Sequence, residues 1–176
     1  MADTMEIRFA GSGGQGVILC SILLATAAIE NDVYVAQSQS YGPEARGGSC
    51  KAEVVISDEP IDFPKVEKSD FLLALTQDSL EKYLKSIKPG SVVMYDDSLD
   101  MPEDPNVGKA IPVPILETAS KKIGKSMVAN IVALGAINNY LKIADEDTLR
   151  KVVLANVPKG TEELNMKALE AGMQLL

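Results

Sequence analysis

The chain has no histidine and no tryptophan, two cysteines, and few aromatic residues of any kind. Without histidine, Ser/His/Asp and Cys/His catalytic arrangements are excluded, and the commonest general base and metal ligand are both missing. Cys20 and Cys50 stand far apart and in no metal-ligand spacing, so the sequence carries neither a zinc nor an iron–sulfur motif. They read as free thiols of a reducing compartment. Positive charge is also short. Seventeen Lys and Arg against 25 Asp and Glu leave a net charge of −8, which argues against a nucleic-acid partner, because binding a phosphate backbone needs clustered cations. Long hydrophobic runs are lacking too: the longest uncharged apolar stretch, Val17–Ile29, falls short of the roughly 20 residues that span a bilayer. The N-terminus, Met1-Ala-Asp-Thr-Met-Glu6, is polar and acidic, unlike a signal peptide. The expectation is a cytoplasmic protein without membrane contact.

What is present is aliphatic. Hydrophobic residues make up 46% of the 176 positions and aromatics 5%, a balance that suits the core of a parallel sheet flanked by helices. A chain of this length is expected to form one domain over residues 1–176, burying roughly 70% of its unfolded surface.

One stretch organises the rest. Residues 7–10 form a short apolar run that predicts a strand. Gly11, Gly13, Gly14 and Gly16 follow within six residues, around Ser12 and Gln15, and predict a tight turn. The apolar run Val17–Ile29 then predicts a helix. Strand, glycine loop and helix start together make an anion-binding arrangement, since unpaired N–H groups and the helix dipole both favour negative charge there. The same glycines would equally serve close packing of helix on strand. A strand over residues 33–36 comes next. Gly11, Gly13 and Gly16 satisfy G-x-G-x-x-G, but this strand runs into Gln37-Ser-Gln-Ser40, whereas a dinucleotide site needs an acid at that end. Glu30 and Asp32 precede the strand, at its wrong end. A P-loop is excluded because Gly16 is followed by Val17.

A second glycine-rich loop, Tyr41-Gly-Pro-Glu-Ala-Arg-Gly-Gly-Ser49, sets an aromatic ring, an acid and a base between turn signals. Glu44 and Arg46 read either as a local surface pair or, with Tyr41, as contacts to an anion or another subunit, since Arg offers a fixed fork of donors to phosphate or carboxylate. Beyond it the pattern predicts strands over 50–56, at a sheet edge, and over 71–75 and 91–95. A helix is expected over 77–87, ended by Pro89-Gly90. Residues 110–114, with two prolines, predict an edge strand. Asp96 and Asp97 read as solvated turn residues. Helices are expected over 117–123, from Lys125 or Ser126 to Leu141, over 145–155, and after Thr161. The body of the long one, residues 127–137, is uncharged all round, so it is expected to be buried on every side, against its own core or another chain. Asn130 within it needs hydrogen-bond partners, most simply in the local backbone. The fold class is therefore α/β: a three-layer αβα sandwich, Rossmann-like, with a mostly parallel sheet.

Two long motifs carry a family likeness. Gly11-Ser-Gly-Gly-Gln-Gly16 and, after it, Gln39-Ser-Tyr-Gly-Pro-Glu-Ala-Arg-Gly-Gly48 resemble the γ subunit of 2-oxoacid:ferredoxin oxidoreductases. The likeness runs on through Ile56-Ser-Asp58, Lys88-Pro-Gly90, Asn130-Ile-Val-Ala-Leu-Gly-Ala136 and Val157-Pro-Lys-Gly-Thr-Glu-Glu-Leu-Asn165. The loop around Arg46 and the Pro158-Lys-Gly-Thr-Glu162 segment look most like the 2-oxoglutarate type, with pyruvate, branched-chain and indolepyruvate relatives alongside. The resemblance implies a pyruvate/ketoisovalerate oxidoreductase γ-type domain that binds no cofactor alone. Its complex would convert a 2-oxoacid, coenzyme A and oxidised ferredoxin into acyl-CoA, CO2 and reduced ferredoxin. Thiamine pyrophosphate and iron–sulfur clusters would sit on partner subunits of α, β and δ type. This chain would be non-catalytic, near the coenzyme A side of the active site. Gly11, Gly13, Gly14, Gln15, Gly16, Tyr41, Arg46 and Asn130 would be the binding residues, and an isolated subunit is expected to self-associate through apolar surface. Two other readings stay open from the residues alone: a stand-alone nucleotide-binding protein and a pure assembly scaffold.

Overall fold

A computed structural model describes residues 4–41 and 49–176. Its centre is a six-stranded sheet in the order β2-β3-β1-β4-β5-β6. The strands are β1 (Thr4–Ser12), β2 (Tyr34–Tyr41), β3 (Ser49–Ser57), β4 (Ser69–Ala74), β5 (Ile87–Asp96) and β6 (Val107–Val113). β1, β4, β5 and β6 run parallel, and β3 alone runs against its neighbours β1 and β2. The mostly parallel sheet expected from the aliphatic runs is thus present, with one antiparallel insert.

Helices cover both faces unequally. α1 (Val17–Ile29), α4 (Ala129–Leu141), α5 (Glu146–Asn156) and α6 (Glu162–Met173) share one face, and α2 (Gln77–Leu84) lies on the other. Alternation along β1 serves both. Ile7 and Phe9 join Phe71, Leu73 and Met94 under the four helices, while Ala10 joins Leu72, Ala74 and Val93 under Leu80 and Leu84 of α2. α4 is buried from Ala129 to Asn138, as its uncharged sequence requires, and the chain covers it with its own α6. The two helices touch at paired glycines: a Cβ on Gly135 would overlap the Leu169 carbonyl, and one on Gly172 would overlap that of Val132. Among the described residues no helix is long and apolar enough to cross a membrane.

Some expectations shift. The strand at 50–56, read as an edge, is β3 and lies between β2 and β1. It looked half-exposed because Lys51 and Glu53 alternate with Cys50 and Ala52. Yet Glu53 is 5% exposed and bonds Arg8, itself 2% exposed, on β1. The helix expected over 77–87 stops at Leu84, and Ile87 already pairs with Ser69 as β5 begins. Pro89 and Gly90 therefore lie inside a strand. Gly90 and Ser91 donate to the Asn106 carbonyl, and the Ser91 hydroxyl closes on the Lys88 and Ser69 carbonyls. The strand expected over 110–114 is at the edge as expected, as β6, which holds Pro112, while Pro114 stands just before α3. The helix expected over 117–123 is a short turn, α3 (Ile115–Glu117), widening into a π-turn over Thr118–Lys122.

The α2 face is closed over β1 by Arg8. Its Nε donates to Glu53 Oε1 at 2.9 Å, Nη1 to the Ser86 carbonyl and hydroxyl, and Nη2 to the Val66 carbonyl at 2.6 Å. The guanidinium also stands 5.3 Å from the Tyr83 ring centre. Removing one member of a buried pair strands the other charge, whereas replacing both by apolar groups of similar volume is nearly neutral. Glu53→Ala is therefore expected to cost about 3–5 kcal/mol in urea unfolding. The double change Arg8→Met, Glu53→Leu is expected to cost less than that single change.

Candidate functional site

The strand order reverses direction between β1 and β4. The connection leaving β1 passes through α1 to β2 on one side, and that leaving β4 passes through α2 to β5 on the other. Such a switch point opens a crevice beyond the carboxyl ends of the strands, where open α/β sheets bind ligands. The predicted glycine loop lies there. Gly13 and Gly14 are exposed, Gly14 with φ of 93°, and Gly16 (φ 72°) is the residue before α1.

Gln15 stitches the loop to the end of β4. Its Oε1 accepts from Ser12 N at 2.7 Å and its Nε2 donates to the Leu75 carbonyl at 3.3 Å, just past the end of β4. Gly11 makes room for this amide, since a Cβ there would come within 2.5 Å of Gln15 Oε1. Asn130 reaches the same place from α4. A Cβ on Gly16 would stand 2.6 Å from Asn130 Nδ2 and 2.8 Å from its Cγ. Asn130 is 5% exposed, and its Oδ1 accepts from Ile131 N at 3.0 Å, the local backbone bond expected of it. The start of α1 has no side-chain cap. The helix start and its dipole face the Gly13–Gly14 loop, and among the described residues no acid stands in that first turn.

Sheet register brings the second motif alongside. Gly11 pairs with Cys50 across β1 and β3, and Cys50 pairs with Tyr41 across β3 and β2. The segment joining β2 to β3 therefore departs and returns at the same sheet end as the glycine loop. Glu44 and Arg46 within it lie outside the described residues. The structure thus brings Gly11, Gln15, Gly16 and Asn130 into contact and places the Tyr41 backbone two strands from Gly11. β2 ends without a carboxylate, in Gln39, Ser40 and Tyr41, while Asp32 sits in the exposed turn before it.

Two groups read otherwise from sequence. Asp96 is 1% exposed: Oδ1 accepts from Ser98 N and the Ser98 hydroxyl, and Oδ2 from Leu116 N at 2.7 Å. It ties β5 to the start of α3, and sequence position alone hides this, because its backbone partner lies twenty residues on. Asp97 beside it is exposed, its carboxyl pushed up by partial burial and by the charges of Asp96 and Glu117. Arg8 carried no motif, and its only signal was a charge inside the apolar run of residues 7–10. Among the described residues no three of His, Cys, Asp and Glu are grouped to hold a metal ion.

A family model for pyruvate ferredoxin/flavodoxin oxidoreductase matches residues 6–175. The chain belongs to the pyruvate ferredoxin/flavodoxin oxidoreductase family. The 2-oxoglutarate synthase subunit KorC of Methanocaldococcus jannaschii is 47% identical to it, over 97% of this chain and 92% of that protein. The keto/oxoacid ferredoxin oxidoreductase γ subunit of Geobacter sulfurreducens superposes with a TM-score of 0.85 at 42% identity, over 98% of this chain and 95% of that one. The 2-oxoglutarate:ferredoxin oxidoreductase of Magnetococcus marinus, solved with 2-oxoglutarate, coenzyme A and succinyl-CoA bound, gives the same TM-score at 27% identity. There 98% of this chain covers 31% of the longer one, so this oxidoreductase fold also stands within a larger polypeptide. The γ-subunit resemblance carried by the two glycine motifs holds across the whole chain.

Two measurements test this geometry. Gly16→Ala introduces a Cβ at positive φ against Asn130. It is expected to destabilise the chain by more than about 1 kcal/mol in denaturant unfolding, while Gly13→Ala on the exposed turn costs less. Burial pushes the thiols of both Cys20 and Cys50 up, which keeps them protonated at neutral pH. Neither is expected to react with Ellman's reagent in the folded chain, and both are expected to react in urea.

Proposed function

We propose that the chain is the γ subunit of a cytoplasmic 2-oxoglutarate:ferredoxin oxidoreductase, and that its glycine loop and Arg46 loop together contact coenzyme A. The carrying observation is the uncapped start of α1 behind the exposed Gly13–Gly14 turn at the switch point, in a chain of this family. Main-chain N–H groups at a helix start suit the phosphates of coenzyme A, and Arg46 supplies a planar donor fork to the same charge. The name and bound molecules of the Magnetococcus marinus relative support this substrate set. So does the 2-oxoglutarate name of the Methanocaldococcus jannaschii relative.

In this reading thiamine pyrophosphate, on a partner subunit, supplies the electron sink for decarboxylation, and iron–sulfur clusters on partner subunits carry electrons to ferredoxin. This chain supplies position and charge. Gln15 locks the loop so that the peptide N–H groups around Gly13 and Gly14 stay open, and Asn130 fixes Gly16 against α4. Holding a phosphate-bearing chain in place before reaction lowers the entropic cost of bringing its thiol to the reacting centre.

The test is Arg46→Ala in the purified complex. Loss of hydrogen bonds to a charged group is worth about 1.5–3 kcal/mol, so the apparent KM for coenzyme A is expected to rise about ten- to a hundredfold. The KM for 2-oxoglutarate is expected to stay unchanged. A complex that assembles and shows unaltered coenzyme A kinetics would remove this role for Arg46. Failure of thiamine- and iron–sulfur-bearing subunits to co-purify with the chain would remove the subunit assignment itself.

A further inference from the structure

The two edges of the sheet are built differently. β6 is guarded against further pairing: Pro112 lacks an N–H, and Lys109 and Gly108 stand exposed on it. β2, at the opposite edge, is eight residues long and has no proline, no glycine and no charge: Tyr-Val-Ala-Gln-Ser-Gln-Ser-Tyr. Native edges of that length are normally blunted by a charge, a proline, a bulge or a covering element. Among the described residues β2 pairs on one side only, with β3.

The helix beside this edge is bare as well. The Gln37 amide donates to Ser21 Oγ at 3.0 Å, which lays α1 along β2. α1 leaves Ile22 and Ile29 at 37% and 57% exposed, with partly buried Ile18 on the same stripe. Tyr34, at the start of β2, is 50% exposed. The uncharged character extends well beyond these side chains. Residues 9–29 and 33–41 contain no Asp, Glu, Lys or Arg, in a chain whose net charge is −8.

We propose that β2 and the outer stripe of α1 form a two-fold interface with a second copy of this chain, joining two sheets through antiparallel β2–β2 pairing. Self-complementarity argues for a second copy, which brings the same unguarded, chargeless strand edge to the pairing. Two molecules of net charge −8 repel, so they meet best where no like charges are opposed; the exposed acids Glu30 and Asp32 lie in the turn before β2, beyond the strand itself. An antiparallel pair about a two-fold also sets each residue against one of its own strand. With the axis at Gln37 or at Ser38, every opposed pair is drawn from Tyr, Val, Ala, Gln and Ser, so no repulsion arises across the ladder. The same axis, perpendicular to the sheet, sets the two α1 helices on one face, where Ile18 and Ile22 of each copy cover the other's.

The test is sedimentation equilibrium of the full chain across a wide concentration range, with amide hydrogen exchange over residues 34–41. The wild type is expected at twice the chain mass, with β2 amides protected. Ile22→Lys, and separately Tyr34→Lys with Gln39→Lys, place charges on exposed positions outside the core. Each is expected to weaken the dimer by at least about tenfold and to raise β2 exchange, with an unchanged circular dichroism spectrum. A wild-type monomer at all concentrations overturns the proposal, as does a dimer that survives both variants. A monomeric chain whose β2 amides become protected only in the purified multisubunit complex also overturns it, and assigns the edge to another subunit.

Discussion

The guanidinium of Arg8 sits where a second helix would otherwise be needed. Among the described residues four helices press on one face of the sheet and α2 alone on the other, so the polar stretch of β1 and β3 on that side must be closed by other means. Arg8 closes it by donating to strand β3, to the end of α2 and to the segment before β4 at once. The burial of two charges is costly in itself, and it is compensated here only because nearly every donor of the fork is taken. β1 is thereby held at its middle from the α2 side and by Ile7 and Phe9 from the other. The glycine loop leaves from the end of that same strand, so the position of the candidate site follows from how firmly β1 is fixed.

From β1 the constraint passes outward through contacts that leave little room. Gln15 bridges the ends of β1 and β4, and Asn130 lies against the bare α-carbon of Gly16. Asn130 lies in the first turn of α4, which is itself clamped to α6 at Gly135 and Gly172. A loop of four glycines would be loose in isolation. Here each end is tied to a core element, and only the Gly13–Gly14 turn is left open. That arrangement combines a rigid frame with exposed main chain, which a site for a charged, extended ligand requires.

Much of this was legible in the residues. Continuous aliphatic runs marked β4 and β5, the glycine spacing marked the loop and α1, and the uncharged body of α4 marked a buried helix. The two glycine motifs, in order and at their spacing, carried the family. What was illegible had a common cause: the partner was distant in sequence. β3 read as an edge because Glu53 looked solvated, when it is buried against Arg8 of β1 as well as its near neighbour Lys51. Asp96 read as a turn acid, when it caps a segment past β6. α2 read three residues too long, because nothing in residues 85–87 announces that Ile87 will pair with Ser69. Asn130 was singled out for its need of partners. That it would touch Gly16 was hidden, since the steric demand belongs to an absent side chain on the other residue.

The exposed part of the glycine loop has a consequence for how oxoacid preference is written in such chains. Gly13 and Gly14 present peptide groups and nothing else, and peptide groups are the same in every protein. A partner meeting them is met by a surface without an alphabet: it can sense negative charge and shape, and it cannot tell one oxoacid side chain from another. Selectivity among substrates must therefore be spelled elsewhere, in side chains that face the carbon skeleton.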